Sequence, residues 1–455
     1  MDLVNELRRI LPAEQVSTNA TVLEQHSKDE SYHTPHLPDV VVFPKTAEEV
    51  SRVLAFADKH SIPVVPFGVG SSLEGHVIPY EGGISLDMQL MNRILDISPD
   101  DFLVTVQPGV TRLQLNKELK RYGLFFSVDP GADATLGGMA ATNASGTTAV
   151  RYGVMRDQVR DLEVVLADGR IIHTGRRSPK SSSGYNLTGL FVGSEGTLGV
   201  FTELTLKVYG IPESVMAARA SFPSVESAVK AAASILSNGI PVARIELLDQ
   251  RSIQQINIHN HTSYPEQPAL FLEFHGSAAG MDGDMENVKE LCAEEGSQEF
   301  VFASDAEERT RLWEARHNLA YAFVHHSRGK QQMSTDVCVP LSELPGAVLY
   351  ARKMMDEYGL DGGLLGHVGD GNYHALILVD PDDPDELERA LKVNSYLVEY
   401  ALSRGGTCTG EHGVGVGKVK YQRQEFGEAI EIMRSIKLTL DPNGILNPGK
   451  IFPVR

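Results

Sequence analysis

Residues 66–75 read Pro66-Phe67-Gly68-Val69-Gly70-Ser71-Ser72-Leu73-Glu74-Gly75 and follow a short apolar strand predicted at 62–65. The spacing of the glycines differs from the dinucleotide fingerprint, in which glycines turn a strand into a helix. Successive backbone N–H groups in such a loop can instead hold a phosphate, and the hydroxyls of Ser71 and Ser72 would add two donors. Taken alone, the loop is also compatible with a tight turn that binds nothing.

Two further segments of small residues occur in the same half of the chain. Residues 129–146 read Asp129-Pro130-Gly131-Ala132-Asp133-Ala134-Thr135-Leu136-Gly137-Gly138-Met139-Ala140-Ala141-Thr142-Asn143-Ala144-Ser145-Gly146, and residues 193–199 read Gly193-Ser194-Glu195-Gly196-Thr197-Leu198-Gly199. Side chains this small let the backbone approach a flat ligand closely. Together with the first loop, they predict a long cofactor that carries a pyrophosphate and a planar ring.

Two segments of the second half contain histidines between glycines. They are Gly366-His367-Val368-Gly369-Asp370-Gly371-Asn372-Tyr373-His374 and Thr409-Gly410-Glu411-His412-Gly413. Asp-Gly is a strong hairpin signal, and a two-residue turn there would place His367 opposite His374, with Cβ atoms roughly 4.5–5.5 Å apart. Two such imidazoles suit one metal ion, Glu411 could add an oxygen ligand, and His412 could move protons. The alternative is a glycine-rich hairpin with incidental histidines.

Composition and charge exclude several classes of protein. The chain has 455 residues, 42% hydrophobic and 22% charged, as expected for a soluble protein of two or three domains. A net charge of −19 argues against binding to nucleic acid or to anionic membranes. No apolar run approaches the roughly 20 residues of a membrane span. The separated cysteines Cys292, Cys338 and Cys408 argue against a disulfide scaffold and against an iron–sulfur centre.

The first eleven residues form an amphipathic helical pattern that contains acidic residues. They have neither the apolar core of a secretory signal nor the acid-free composition of a mitochondrial presequence. These features predict a bacterial cytoplasmic protein, which would approach a membrane only through an electron-acceptor partner.

The order of predicted elements changes after Pro212. The first half combines a helix at 46–59, capped by Thr46, with strands at 84–88, 103–107, 161–167, 170–174 and 201–208. The second half continues with strand 216–222, helix 224–237, strands 242–248 and 269–275, helix 281–295 and strand 298–303. This succession is typical of a split βαβ, ferredoxin-like fold. Further helices are predicted at 305–327 and at 385–404.

The glycine-rich and histidine-containing segments, in this order, resemble the FAD-linked oxidases of the vanillyl-alcohol oxidase fold, and the match is closest to D-lactate dehydrogenases and the flavoprotein subunit of glycolate oxidase. The resemblance runs from about Pro38 to Pro448 and implies an α+β protein. A helical lead-in (1–34) would precede a PCMH-type FAD-binding domain (35–212). A ferredoxin-like α+β cap domain (213–410) and a C-terminal segment that returns to the FAD domain (411–455) would follow.

The resemblance also implies roles for individual residues. Arg316 would bind the substrate carboxylate, His412 would act as the base, and His367, His374 and Glu411 would bind a divalent metal. Two histidines with one carboxylate fit Zn²⁺ or Mn²⁺. The residues that would bind FAD are Pro66, Gly68, Gly70, Ser71, Ser72, Asp129, Thr135, Gly138, Thr142, Ser145, Glu195, Gly199, Val200 and Asn447. Covalent members of the fold carry a flavin-linking histidine where this chain has Ser71-Ser72, so non-covalent FAD is expected, although His76 lies just beyond the loop.

The implied reaction is the FAD- and metal-dependent oxidation of a small D-2-hydroxy acid, D-lactate or glycolate, to the 2-oxo acid. The electrons would pass to an external acceptor, which would be a quinone, an electron-transfer protein or an iron–sulfur subunit. The alternatives are the catalytic FAD subunit of a multi-subunit glycolate oxidase, a transferase of the alkyl-glycerone-phosphate synthase type, a non-catalytic FAD-binding subunit and a flavin-free metallohydrolase. Arg309, Arg311 or Arg328 could take the role assigned to Arg316.

Overall fold

A computed structural model describes residues 2–303, 305–327 and 329–452. The chain divides into two compact units. The first unit consists of Met1–Ser145, Gly153–Ile211 and Glu411–Arg455, and the second consists of Gly146–Tyr152 and Pro212–Gly410. Residues 146–152 belong to the second unit, whereas the sequence-based division placed them in the FAD-binding domain. The boundaries of the four predicted domains stay predictions.

The helices and strands are numbered along the chain. The α-helices are α1 (Leu3–Ile10), α2 (Ala20–Gln25), α3 (Ala47–His60), α4 (Arg112–Leu119), α5 (Leu136–Thr142), α6 (Ala149–Tyr152), α7 (Met155–Gln158), α8 (Leu187–Phe191), α9 (Val225–Ser237), α10 (Gln250–Asn260), α11 (Ala278–Glu294), α12 (Ala306–His317), α13 (Leu319–His326), α14 (Leu344–Glu357), α15 (Pro384–Ser403), α16 (Gln422–Phe426) and α17 (Ala429–Leu440). Among the described residues, none of these helices combines the length and the apolar character that a membrane crossing requires.

The strands are β1 (Val16–Ser17), β2 (Val40–Val42), β3 (Val64–Phe67), β4 (Ile84–Asp87), β5 (Ile94–Ser98), β6 (Leu103–Val106), β7 (Leu124–Phe125), β8 (Val159–Val165), β9 (Ile171–His173), β10 (Val200–Lys207), β11 (Tyr209–Gly210), β12 (Ser214–Ser221), β13 (Val242–Leu248), β14 (Ala269–Gly276), β15 (Glu299–Phe302), β16 (Gln331–Ser334), β17 (Val337–Cys338), β18 (Gly362–Gly366) and β19 (Asn372–Val379). Most of the predicted strands and helices are therefore confirmed to within a few residues.

Two principal sheets form the first unit. One has the strand order β1-β2-β4-β3, in which β4 runs parallel to β2 and β3, and the other has the antiparallel order β5-β6-β10-β8-β9. Helix α3 begins where the Thr46 hydroxyl accepts a hydrogen bond from the Glu49 N–H, and it buries an apolar stripe against the first sheet. Leu446 of the C-terminal segment forms a parallel bridge with Val64, so the last part of the chain joins this core.

One large antiparallel sheet with the order β15-β12-β14-β13-β18-β19-β16 forms the second unit. The strands β12 to β15 lie in the sheet in the order β15-β12-β14-β13, which is 4-1-3-2 when they are numbered along the chain. Helix α9 follows β12 and helix α11 follows β14. This confirms the predicted ferredoxin-like succession. The hairpin of β18 and β19 extends the sheet, because β18 pairs with β13 through Leu247 opposite Gly366 and Leu248 opposite Leu365.

The register of the β18–β19 hairpin differs from the prediction. His374 lies opposite Leu365, and His367 lies in the connection that follows β18 rather than opposite His374. The predicted two-residue turn requires positive φ at both of its central residues. Gly371 has a φ of +78°, but Asp370 does not adopt positive φ, and its N–H donates to the His367 carbonyl to close a longer turn.

The sequence-based elements also missed several helices, α4 and α17 among them, and one break. Helices α10 and α14 lie in stretches for which no element was predicted. The predicted helix 305–327 is divided at Asn318, whose backbone leaves the helical region at φ −83° and ψ 2°. Its N–H group donates to the carbonyls of the preceding helix, and its C=O accepts from Ala322 in the next one.

Candidate functional site

The three small-residue segments of the first half meet within the first unit. The N–H groups of Gly193 and Glu195 donate to the carbonyls of Ala140 and Ala141 over 2.9 and 2.8 Å. A Cβ atom at Gly68 would lie 2.5 Å from Thr135 Oγ1, so the first loop packs directly on the start of α5. The structure thus brings together segments that begin up to 127 residues apart in the sequence.

The surroundings of these segments fit a flavin nucleotide. Gly70 has a φ of +71°, which favours glycine, and a Cβ atom there would contact the Phe67 ring at 2.8 Å. The buried Ser194 hydroxyl has no hydrogen-bond partner among the described residues, so it can serve a bound ligand. Ser72, in contrast, already donates to Asp29 Oδ2 at 2.9 Å. All the predicted FAD-binding residues belong to the first unit, and their contacts with the cofactor stay predictions.

Two of these residues use their side chains to hold other parts of the first unit. The buried Glu195 carboxylate accepts hydrogen bonds from the N–H groups of Val414 and Gly415, at 2.6 and 2.8 Å. Asn447 Nδ2 donates to the carbonyls of His76 and Glu195, at 3.1 and 2.7 Å. Both side chains therefore fix the C-terminal segment against the glycine-rich loops.

His76, the histidine nearest to the first loop, is buried beside Glu195, and its Nε2 atom lies 3.4 Å from Glu195 Oε2. Burial by itself lowers the pKa of His76, but the Glu195 carboxylate, with Asp29 and Glu74, raises the pKa above its ordinary 6.5. Burial likewise raises the pKa of Glu195, and His76 and the two backbone amides lower it below 4.5. The two side chains thus favour an ion pair.

His367 and His374 lie together in the second unit, although the predicted register is wrong. Their rings are 5.5 Å apart between centroids and nearly perpendicular, and a nitrogen of each ring lies within 4.8 Å of a nitrogen of the other. Both side chains are buried. This spacing allows one divalent ion to bind both imidazoles.

The hydrogen bonds of the two rings determine their tautomers. His367 Nδ1 donates to Glu246 Oε1 at 2.6 Å, and His374 Nδ1 donates to the Thr335 carbonyl at 3.0 Å, with Asp336 Oδ1 at 3.8 Å. Because each acceptor is an oxygen that cannot donate, each Nδ1 carries a proton, and the neutral form of each ring has its lone pair on Nε2. Metal-binding histidines commonly show this arrangement, so the donor set fits Zn²⁺ or Mn²⁺.

Arg316 is buried on α12 and pairs with the same glutamate. Its Nε and Nη2 atoms donate to Glu246 Oε2 at 3.0 and 2.7 Å. Burial by itself raises the pKa of Glu246, but His367 and Arg316 outweigh this and lower it below its ordinary 4.5. Among the alternatives, Arg309 donates to the Val215 carbonyl, Arg311 faces Glu307 at the surface, and Arg328 lies outside the described residues. Arg316 is thus the arginine that the structure brings next to the histidine pair.

Glu411 and His412 belong to the first unit, whereas the histidine pair belongs to the second. Thr409, two residues before Glu411, donates its hydroxyl to Asp336 Oδ2 at 2.7 Å. At the other end of this segment, Val414 is held by Glu195. Glu411 as a metal ligand and His412 as a base stay predictions.

Sequence reasoning missed Glu246 and Asp336. Both side chains are fully buried, although charged residues are almost never fully buried without a partner. A glutamate between Ile245 and Leu247, in a strand with Arg244 as its one other charged residue, was a signal that could have identified Glu246. Asp336, which accepts from Asn372 Nδ2 at 2.8 Å, lies in a stretch for which no element was predicted.

Two family profiles match the chain. The profile described as "FAD linked oxidases, C-terminal domain" covers residues 211–451, and the one described as "FAD binding domain" covers residues 38–175. Together they span most of the chain in the predicted order, and they confirm the resemblance found in the sequence.

Curated relatives match over nearly the whole length. "Probable D-lactate dehydrogenase, mitochondrial" of Danio rerio is 49% identical over 99% of this chain and 91% of the relative. "D-lactate dehydrogenase (cytochrome), mitochondrial" of Arabidopsis thaliana is 42% identical over 99% of this chain and 80% of the relative. "Glycolate oxidase subunit GlcD" of Bacillus subtilis is 36% identical over 94% of this chain and 92% of the relative.

Solved structures confirm the fold. Substrate-bound p-cresol methylhydroxylase has a TM-score of 0.81 at 21% identity, over 99% of this chain and 96% of the other. Alkyldihydroxyacetonephosphate synthase has a TM-score of 0.76 at 21% identity, over 98% of this chain and 84% of the other. At this identity the likeness extends to the fold alone, and it agrees with the predicted PCMH-type architecture.

The predicted bacterial cytoplasmic location is wrong. The Danio and Arabidopsis relatives, at 49% and 42% identity, are both mitochondrial by name, which contradicts the predicted location. The prediction depended on the composition of the first eleven residues.

Proposed function

The chain belongs to the family of FAD-linked oxidases, and we propose that it oxidises a small D-2-hydroxy acid, D-lactate in the first place, to the 2-oxo acid with the help of a divalent metal. The observation that carries this proposal is the buried set of His367, His374 and Arg316. Its two imidazoles share one tautomer, and its arginine is joined to His367 through Glu246. The names of the Danio and Arabidopsis relatives support D-lactate as the substrate.

Each residue contributes a different part of the reaction. Arg316 would bind the substrate carboxylate, because a guanidinium presents paired N–H donors to two oxygens. His367 and His374 would hold the metal through Nε2, together with Glu411. His412 would take the hydroxyl proton on an imidazole nitrogen, and such general-base assistance contributes typically about 10²–10⁴-fold. When bound, FAD supplies the hydride acceptor and the metal a Lewis acid beside the hydroxyl.

The proposal includes FAD that is not covalently bound and an external electron acceptor. Residues 71 and 72 are serines, which cannot form the histidyl flavin link of covalent members. The name of the Arabidopsis relative includes a cytochrome, which favours an electron-transfer protein over a quinone or an iron–sulfur subunit as the acceptor.

Anaerobic reduction of the bound flavin tests this function. We expect the flavin absorbance of the purified protein to bleach with D-lactate and to stay unchanged with L-lactate, because one metal, one arginine and one flavin face define a single hand of substrate. Metal analysis of the same preparation should show one Zn²⁺ or Mn²⁺ per FAD. Equal reduction rates with both lactate isomers would contradict the proposal.

A glycolate oxidase subunit is the second candidate, because the Bacillus subtilis relative carries that name at 36% identity. The two functions differ in the preferred substrate and in the need for further subunits. We expect kcat/KM for flavin reduction to be larger for D-lactate than for glycolate with the isolated chain. The reverse order would favour the glycolate oxidase subunit.

A further inference from the structure

Two buried glutamates on neighbouring strands of the second unit each join a histidine to an arginine. Glu246 on β13 accepts from His367 and Arg316, whereas Glu273 on β14 accepts from His275 Nε2 at 2.9 Å. Arg244 Nε lies 3.5 Å from the same Glu273 oxygen. One glutamate thus contacts the proposed metal and substrate residues, and the other supplies a natural comparison.

The sheet itself brings Glu246 to His367. Leu247 pairs with Gly366 and Leu248 pairs with Leu365 in the antiparallel ladder of β13 and β18. Continued by one residue, this register places Glu246 opposite His367, where the chain leaves β18. The 2.6 Å hydrogen bond between Glu246 Oε1 and His367 Nδ1 therefore follows from strand pairing rather than from a flexible loop.

The second oxygen of Glu246 determines which part of Arg316 can reach a ligand. Oε2 accepts from Nε and Nη2, so the carboxylate occupies the Nε side of the planar guanidinium. Among the described residues, the guanidinium makes no hydrogen bond besides these two with Glu246. Its Nη1–Nη2 end still presents paired N–H donors, which match the two oxygens of a carboxylate.

We propose that Glu246 is a positioning residue that fixes the metal-binding nitrogen of His367 and the carboxylate-binding end of Arg316 through its two oxygens. This inference rests on the proposed function. It predicts that one substitution weakens metal binding and substrate binding together, although residue 246 itself would touch neither ligand. Substitution of a glutamate that only stabilised the sheet would change neither the Mn²⁺ affinity nor KM for D-lactate.

Glu246→Gln is the primary variant because it keeps the size of the side chain. In either orientation of the glutamine amide, its NH2 group faces the N–H donors of His367 or of Arg316. The neutral amide also no longer balances the positive charge of Arg316. We expect the affinity for Mn²⁺ to fall by roughly 10- to 100-fold. The measurement adds Mn²⁺ to protein that retains FAD but has been stripped of metal, and it follows the electron paramagnetic resonance of free Mn²⁺. KM for D-lactate should rise by about tenfold, with a smaller change in kcat.

Glu273→Gln is the matched control. It makes the same change at a buried glutamate that also joins a histidine to an arginine, on the adjacent strand. We expect its Mn²⁺ affinity and its KM to stay within about twofold of the wild type. Losses equal to those of Glu246→Gln would show a general effect of disturbing the sheet and would overturn the inference.

A double variant separates the two actions of Glu246. If this glutamate acts on the substrate through Arg316, Glu246→Gln combined with Arg316→Met should give the same KM as Arg316→Met alone, within about twofold, when both variants are saturated with Mn²⁺. The same pair should still show the loss of Mn²⁺ affinity, because His367 remains. Multiplied KM effects would contradict an action through Arg316.

The outcomes also distinguish this inference from the proposed function. A wild type that neither binds Mn²⁺ nor reduces its flavin with D-lactate would refute the proposed function. A wild type that does both, while Glu246→Gln keeps its metal affinity and its KM, would refute the inference alone. If Glu246→Gln does not fold, Glu246→Asp replaces it, since the shorter carboxylate keeps the charge but cannot reach both partners. Wild-type constants in that variant would refute the inference equally.

Discussion

At the scale of single residues, proton positions determine what the histidine pair can do. His367 and His374 each donate Nδ1–H to an oxygen, so the neutral form of each ring has its lone pair on Nε2. Composition and spacing predicted the two histidines as a pair, but their tautomers depend on Glu246 and Thr335, which lie far away in the sequence. A sequence pattern cannot show such partners, because they are set by strand pairing.

The proposed roles of the adjacent residues Glu411 and His412 can be distinguished by substituting each in turn. We expect Glu411→Ala to lose bound metal and to recover part of its activity with excess metal, because a ligand is missing. His412→Ala should keep metal and FAD but reduce its flavin about 10²–10⁴-fold more slowly, because the general base is missing. Metal content and anaerobic flavin reduction, measured for both variants, check this. Loss of metal in His412→Ala with retention in Glu411→Ala would mean that the roles are exchanged.

At the scale of elements, patterns with a strong period were predicted well and turns were not. Strand β13 has the predicted bounds 242–248, because its apolar residues are bounded by clear breaks. The β18–β19 register was wrong, because a two-residue turn was inferred from Asp370-Gly371 alone. The actual turn depends on a tertiary contact in which the Val339 N–H donates to the Gly371 carbonyl. The break at Asn318 was missed because both flanking segments have helical patterns.

The turn of this hairpin can be tested with two glycines. Gly371 (φ +78°) and Gly359 (φ +62°) both adopt left-handed backbone, but a Cβ atom at Gly371 would collide with the Val339 carbonyl oxygen, whereas one at Gly359 meets no atom within 4 Å. We expect Gly359→Ala to cost about 1–2 kcal/mol from backbone strain alone. Gly371→Ala should cost at least about 3 kcal/mol, since a rigid backbone atom must also move.

Chemical denaturation of both variants, with retained metal as a second measurement, checks this expectation. Gly371→Ala should also weaken metal binding, because the turn that it distorts carries His367. Equal losses of stability in the two variants would show that the contact with Val339 does not determine the turn.

At the scale of the whole molecule, buried charges at the C-terminal segment affect the pH dependence of stability. Lys450 is buried and donates to the Ile78 carbonyl at 2.8 Å and to Asn447 Oδ1 at 3.2 Å. Burial lowers the pKa of Lys450 from its ordinary 10.5 to about 8, although Glu195, Asp29 and Glu81 act in the opposite direction. Below pH 8 the folded protein therefore carries an unfavourable buried charge.

The sign of this effect follows from proton binding. Between pH 8 and 10.5 the unfolded chain binds more protons at Lys450 than the folded protein does, so the penalty falls as the pH rises. We expect the stability of the wild type relative to Lys450→Met to increase by about 2 kcal/mol from pH 7 to pH 9.5. The free energy of unfolding by urea, measured for both proteins at the two pH values, checks this. A difference that does not change with pH would contradict a lowered pKa at Lys450.

The first unit is built from three separate stretches of the chain, so it cannot be completed before the last of them has been synthesised. Leu446, which bridges to Val64, is translated only after 381 intervening residues. Val414 and Gly415, which donate to Glu195, are likewise translated long after Glu195 itself. The second unit, made almost entirely of residues 212–410, can assemble on the ribosome before then. The flavin-binding unit, although it begins first, is completed last. A nascent chain that stalls before residue 411 would lack the partners of Val64 and Glu195 and would be unable to complete the flavin-binding unit.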